Sequence, residues 1–246
     1  MKIPSLVTAG ILGTTLASQA ATVLYQSDFT GTTLASAGLE STGASGGIWD
    51  MDTANGRVKT NFPGGGDRAT VRNIVGFQSN DGITLDVTFN QLASTRFSIG
   101  LFDLSTGSWN YGNDFIQDAQ FNKAYSIALS TDGALEDANG DKDVLSFYNG
   151  STVSKLSDAQ ANITTGIPQT LSLTITETGY SYSLNGAAAT IGSGSFDMDK
   201  SYGFVAYGLN GNGSYISNIT LTAVPEPSSA ALLGLGGVAL ILRRRK

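Results

Sequence analysis

The chain has no cysteine and no histidine. The first absence rules out a disulfide framework, so the core alone must hold the fold. The second removes the commonest general base at neutral pH and the commonest metal ligand. Together they exclude Ser/His/Asp and Cys/His catalytic machinery. Glutamate is scarce as well, limited to Glu40, Glu136, Glu177 and Glu226. Cations are outnumbered, with 14 Lys and Arg against 20 Asp and Glu for a formal net charge of -6. A surface of that sign argues against nucleic acid and anionic membranes as partners. Glycine is abundant, at 31 of 246 residues, alongside Ser, Thr and Asn. This is a composition of strands and turns rather than of helices.

Long apolar runs occur at the two ends. Lys2 precedes an uncharged stretch over residues 3–17, and Ser18-Gln19-Ala20 places small residues at a cleavage site, so residues 1–20 read as a secretory signal peptide. At the other end, Val224-Pro225-Glu226-Pro227-Ser228-Ser229 leads into an uncharged stretch over residues 230–242 and then Arg243, Arg244, Arg245 and Lys246. That stretch makes about 20 Å of helix, where a bilayer core is about 30 Å thick. It is a marginal anchor, with its cations held on the cytoplasmic side. Pro225 and Pro227 keep the approach from continuing a strand or a helix.

This order of features closely resembles the sorting tail of the PEP-CTERM proteins of Gram-negative bacteria. The resemblance implies recognition of Pro225, Glu226 and Pro227 by a membrane-embedded exosortase, transient inner-membrane anchorage with Arg243, Arg244 and Arg245 at the cytoplasmic face, and cleavage near the motif. It implies delivery to the cell surface or an exopolysaccharide matrix. The plainer alternative is an unprocessed C-terminal membrane helix. Removing Lys2 and the tail takes away five positive charges and one negative from a chain of -6, leaving a mature body near -10.

Between the ends, period-two runs recur between turn signals. The clearest is residues 83–90, where Ile83, Leu85, Val87 and Phe89 alternate with Thr84, Asp86 and Thr88. Further strands are expected over residues 22–29, 48–51, 57–61, 70–77, 96–103, 124–130, 144–148, 152–156, 202–207 and 215–222. Residues 170–176 and 180–184 form a hairpin, and Asn185-Gly186 marks a following tight turn because both residues tolerate positive φ. Residues 31–47 read as loop, and 105–122 as a long surface loop with a strand inside it. The expected fold is therefore all-β, a two-sheet antiparallel sandwich or jelly roll over residues 21–223, flanked by the signal peptide and by a tail, residues 224–246, with a hydrophobic helix.

The body resembles the concanavalin A-like lectin/glucanase superfamily and its laminin-G-like relatives. The pieces that carry the resemblance are Asp28-Phe29, Trp49 after the next loop, the hairpin running from Leu171 to Asn185, and the closing Tyr202-Gly203-Phe204 with Ile216-Ser217-Asn218-Ile219. It implies a curved sheet whose concave face or rim loops bind carbohydrate. A retaining glucanase needs two carboxylates about 5 Å apart, and the four glutamates form no such pair. Asp50 and Asp52 flank Met51 at the spacing of one strand face, with a solvated pair as the competing reading. The expectation is a protein that is not an enzyme, with a carbohydrate-active enzyme as the alternative.

Two segments carry candidate sites. Asp137, Asn139, Asp141 and Asp143 alternate as oxygen donors, a pattern suited to calcium. The segment departs from an EF-hand, with Lys142 where glycine is needed and Tyr148 where the bidentate glutamate would stand. An acidic hairpin turn is the other reading. Trp49, Trp109 and Tyr111 suit stacking on a sugar ring, with Asn110 and Asn113 as nearby groups for hydrogen bonding to its hydroxyls. Against this stands a fold-back of Trp109 and Tyr111 over a sheet edge, and for Trp49 a place in the core. The functional expectation is a non-catalytic exported surface or matrix protein. Its partners would be the export machinery, an exosortase-like transpeptidase and polysaccharide.

Overall fold

A computed structural model of the chain describes residues 21–44, 46–64, 66–92, 96–104, 124–130, 144–149, 152–156, 165–187, 190–209 and 212–225. Residues 22–224 form one compact unit. The signal-peptide, tail-helix, calcium and 109–111 expectations fall outside the described residues, apart from Pro225. Among the described residues no helix is long and apolar enough to cross a membrane.

In chain order the strands are β1 (Val23–Ser27), β2 (Leu39–Ala44), β3 (Ile48–Asp52), β4 (Arg57–Asn61), β5 (Arg68–Asn73), β6 (Ile83–Asn90), β7 (Arg96–Asp103) and β8 (Ala124–Ser130). They continue with β9 (Val144–Asn149), β10 (Thr152–Leu156), β11 (Gln169–Thr176), β12 (Gly179–Leu184), β13 (Thr190–Ser193), β14 (Tyr202–Leu209) and β15 (Tyr215–Ala223). One sheet of eight runs β13-β12-β11-β6-β15-β4-β3, with β1 also paired to β15. The other, of seven, runs β10-β9-β8-β7-β14-β5-β2. The expected two-sheet antiparallel sandwich is what forms.

Alternation produces the core directly. Ile83, Leu85, Val87 and Phe89 of β6 turn inward and are buried, as are Phe97, Ile99 and Leu101 of β7 and Phe204 and Ala206 of β14. Phe89 and Phe97 stack across the two layers with ring centroids 5.7 Å apart. Trp49, 1% exposed, lies 5.6 Å from Phe97 and donates its indole N–H to the Ala69 carbonyl at 3.0 Å. Trp49 is therefore a core residue that ties one sheet to the other. Each large apolar side chain buried this way stabilises by about 1.5–3 kcal/mol. That burial is what replaces disulfides here.

The turns follow local chemistry. β11 and β12 pair from Leu171 opposite Leu184 to Thr176 opposite Gly179, leaving a two-residue loop of Glu177 and Thr178. Asn185 and Gly186 take φ of 53° and 71°, and the Ala187 amide donates to the Leu184 carbonyl at 3.0 Å, as a type I′ turn requires. The Asn185 side chain also accepts from the Thr170 amide at 2.9 Å, binding the turn to the start of β11.

Three strand expectations need correction. The 31–47 segment is not all loop, because it holds a 3-10 turn at Ala35–Ala37 and the whole of β2. The fifth strand ends at Asn73 rather than running to residue 77, and Ile74 and Val75 are exposed. Strand β13 lies where no strand was expected, on the edge of the larger sheet.

Candidate functional site

The outer face of the seven-stranded sheet is set by the same alternation. With Val71, Ile99 and Ala206 facing the core, their neighbours face away. Ser98, Tyr207, Thr70 and Thr42 stand in register across β7, β14, β5 and β2. The next row holds Gly100, Val205, Arg72 and Glu40. Ser98, Thr70, Tyr207, Val205 and Phe102 are all buried despite facing outward from the core. A buried hydroxyl row is costly unless partnered, and the Thr70 hydroxyl has no hydrogen-bond partner.

Arg72 organises the second row. Its Nε donates to Glu40 Oε1 at 2.7 Å, and its guanidinium lies 6.0 Å over the Phe102 ring. Gly203, opposite Phe102, adjoins this patch, and a methyl group there would come within 2.6 Å of Leu104 Cδ1. The face therefore combines hydroxyls, an ion pair and an aromatic ring on a rigid sheet.

Strand order fixes the strand ends that flank the two sequence-derived candidate segments. The 109–111 segment joins β7 to β8, leaving at Asp103 and returning at Ala124, while the 137–143 segment joins β8 to β9 between Ser130 and Val144. Register sets Phe102 opposite Ala124 and Arg96 opposite Ser130, so the two segments are tethered at opposite ends of β8. Seven strand residues separate those ends by about 20 Å. At the Phe102 end of β7, Asp103 has a nearly buried side chain paired with Lys200 at 2.9 Å. The sequence could not reveal this separation, nor the Glu40–Arg72 pair, because both depend on which strands become neighbours. The polar alternation of Thr70 and Arg72 was the one available signal.

Asp50 and Asp52 lie on β3, on the opposite sheet. Asp52 accepts from Arg57 Nε at 2.8 Å and from Asn55 Nδ2 at 2.9 Å, with Lys59 at 3.8 Å. The Arg57 hydrogen bond, helped by Asn55, holds its carboxyl below the usual aspartate range. Asp50 accepts from the Met51 amide at 2.9 Å. Among the described residues no three acidic groups cluster as a metal site.

The body ends in a defined clasp. Ala223 donates to the Thr22 carbonyl at 2.8 Å and Val224 to the Gly82 carbonyl at 2.9 Å, after which Pro225 is exposed.

Residues 223–246 match the PEP-CTERM protein-sorting motif. No curated protein sequence matches the chain. Among solved structures, the exoplasmic/lumenal domain of VIP36 in a Ca2+-bound form is similar with a TM-score of 0.58 at 11% identity, over 82% of this chain and 91% of that one. The carbohydrate recognition domain of Emp47p gives 0.55 at 12% identity, over 84% and 100%. That of Emp46p in a potassium-bound form gives 0.52 at 14%, over 76% and 90%. At such identities the likeness is one of fold. The chain carries a PEP-CTERM sorting motif at the end of a lectin-like β-sandwich.

Proposed function

We propose that this is a non-catalytic exported protein of the cell surface or extracellular matrix, sorted by an exosortase-like transpeptidase, whose sandwich contacts exopolysaccharide. The observation that carries the proposal is the abutment of motif and fold. The sorting motif begins at residue 223, where β15 ends. Residues 1–20 supply export, residues 21–223 the sandwich, and residues 224–246 the tail, with Pro225, Glu226 and Pro227 as the recognised triplet and Arg243, Arg244 and Arg245 as its cytoplasmic stop. Cleavage after the clasp at Val224 would cost the sandwich none of its described hydrogen bonds.

Carbohydrate contact is supported by the fold. VIP36 has been seen with Ca2+ and a dimannose ligand, and Emp46p with potassium. The sugar contacts are assigned to Trp109, Asn110 and Tyr111, whose rings and amide suit stacking on a sugar and hydrogen bonding to its hydroxyls. Asp137, Asn139, Asp141 and Asp143 are all hard oxygen donors, which fits calcium in kind, and calcium there would order the turn between β8 and β9. A non-catalytic role agrees with Asp52, since a glycosidase general acid needs its pKa raised and Arg57 lowers this one. The test is a glycan array probed with the full-length chain, with and without calcium. Binding supports the proposal, and silence in both conditions overturns carbohydrate contact.

A further inference from the structure

The outer face of the eight-stranded sheet has an unusual surface. Thr220, Asp86, Ser172 and Ser183 form one row across β15, β6, β11 and β12. In the next, Thr174 and Ser181 lead to Ile191 on the edge strand β13. Thr84 and Thr174 hydroxyls bond across the strands at 2.8 Å. An exposed sheet face usually carries long charged side chains that keep it soluble and unpaired. Here the side chains are short hydroxyls, so a ligand can come close to the backbone. Two depressions lie on this face. One of about 300 Å³ is lined by Asp86, Ser172, Ser183 and Asn218. The other, of about 520 Å³, is lined by Thr174, Ser181 and Ile191.

We infer that this face is a second glycan-binding surface, selective for neutral polysaccharide, with the two depressions as successive subsites along it. The inference rests on the glycan-contact reading proposed above, but assigns a surface on the opposite side of the sandwich from Arg72. Asp86 accepts from sugar hydroxyls, and Asn218 supplies an amide that both donates and accepts. Ile191, 80% exposed, offers an aliphatic contact for a C–H face. Charge decides among occupants. Asp86 is the only carboxylate, and no Lys or Arg is present, among the side chains lining the two depressions; the second also carries the Tyr180 ring. An anionic polymer is therefore repelled at the first depression. The scarcity of aromatic side chains argues against a protein hot spot.

The test is affinity electrophoresis of the full-length chain through gels containing dextran, xylan or galactomannan, with alginate as the anionic control. Ser172→Arg fills the first depression and Asp86→Lys reverses its charge, and both sites are solvent-accessible enough for the fold to persist, as matching thermal melts would establish. Added to Trp109→Ala, each is expected to weaken retardation by a neutral polymer at least about tenfold, with alginate giving none in the Trp109→Ala variant. Trp109→Ala separates the two surfaces, because the second face should still retard that variant. If both face variants run like the parent while Trp109→Ala loses binding, the second face is overturned and the first reading stands. If the parent binds no polymer, both fall. If the face variants change only the sedimentation mass, the surface joins copies of the chain and the inference is wrong.

Discussion

Val224 and Gly82 hold the end of the folded body in place. The Val224 amide donates to the Gly82 carbonyl at 2.9 Å, and Gly82 itself adopts φ of 137°, a conformation L side chains rarely take. A methyl group on Gly82 would sit 2.3 Å from the Ile175 carbonyl oxygen and 3.1 Å from Val224 Cγ2. The turn before β6, the end of β11 and the junction with the tail thus share one tight contact.

Gly82→Ala should therefore destabilise the sandwich by about 2–4 kcal/mol, from backbone strain and displacement of a strand carbonyl. Gly66→Ala is the control. Gly66 has φ of 85° but no atom within 4 Å of an added methyl, so it should cost only about 1 kcal/mol. Urea denaturation of the two variants checks the difference.

Trp49 joins the sheets through its ring and its N–H. Trp49→Phe should cost about 1–3 kcal/mol for the lost bond to the Ala69 carbonyl. Trp49→Ala should cost about 3–5 kcal/mol. Glycan binding per molecule of folded protein should be unchanged in the phenylalanine variant, since Trp49 is buried.

The Asp52–Arg57 pair sets an acid-side sensitivity. The folded carboxyl has a lowered pKa, so its contribution is present above the unfolded-state value of about 3.9 and is lost as pH falls through the folded value. Asp52→Asn should be less stable than the parent at pH 7, with the gap closing below about pH 4. Urea midpoints at several pH values measure this, and a gap that stays constant down to pH 2 would refute the assignment.

Tail processing is testable in an exosortase-bearing Gram-negative host. The parent should leave the cell shortened near Pro225, whereas Pro225→Ala with Glu226→Gln should keep the tail intact by mass spectrometry. Melting of the body should be the same in both, because the clasp ends at Val224.

What could be read from the sequence tracked how strongly each strand alternates. β6, β11, β12 and β15 bury one apolar face and were legible in place. β2 was hidden because Leu39 is its one large apolar residue, packed in the core while Glu40 turns outward to Arg72. β5 was misplaced because Ile74 and Val75 look like strand residues. The chain instead leaves the sheet at Asn73, whose side chain accepts from the Phe204 amide at 2.7 Å. β13 shows a lone isoleucine, and that residue faces solvent. The two candidate site segments lie outside the described residues. Pairing of β7, β8 and β9 makes the connections that contain residues 109–111 and 137–143 leave from opposite ends of β8.

The central claim is that the sandwich binds exopolysaccharide without cutting it. The most direct measurement is size-exclusion chromatography with light scattering on the full-length chain mixed with the extracellular polysaccharide of its own host. The account predicts co-elution of protein with polymer at an unchanged polymer mass over hours. Separate elution, or a falling polymer mass that reveals hydrolysis, would contradict it.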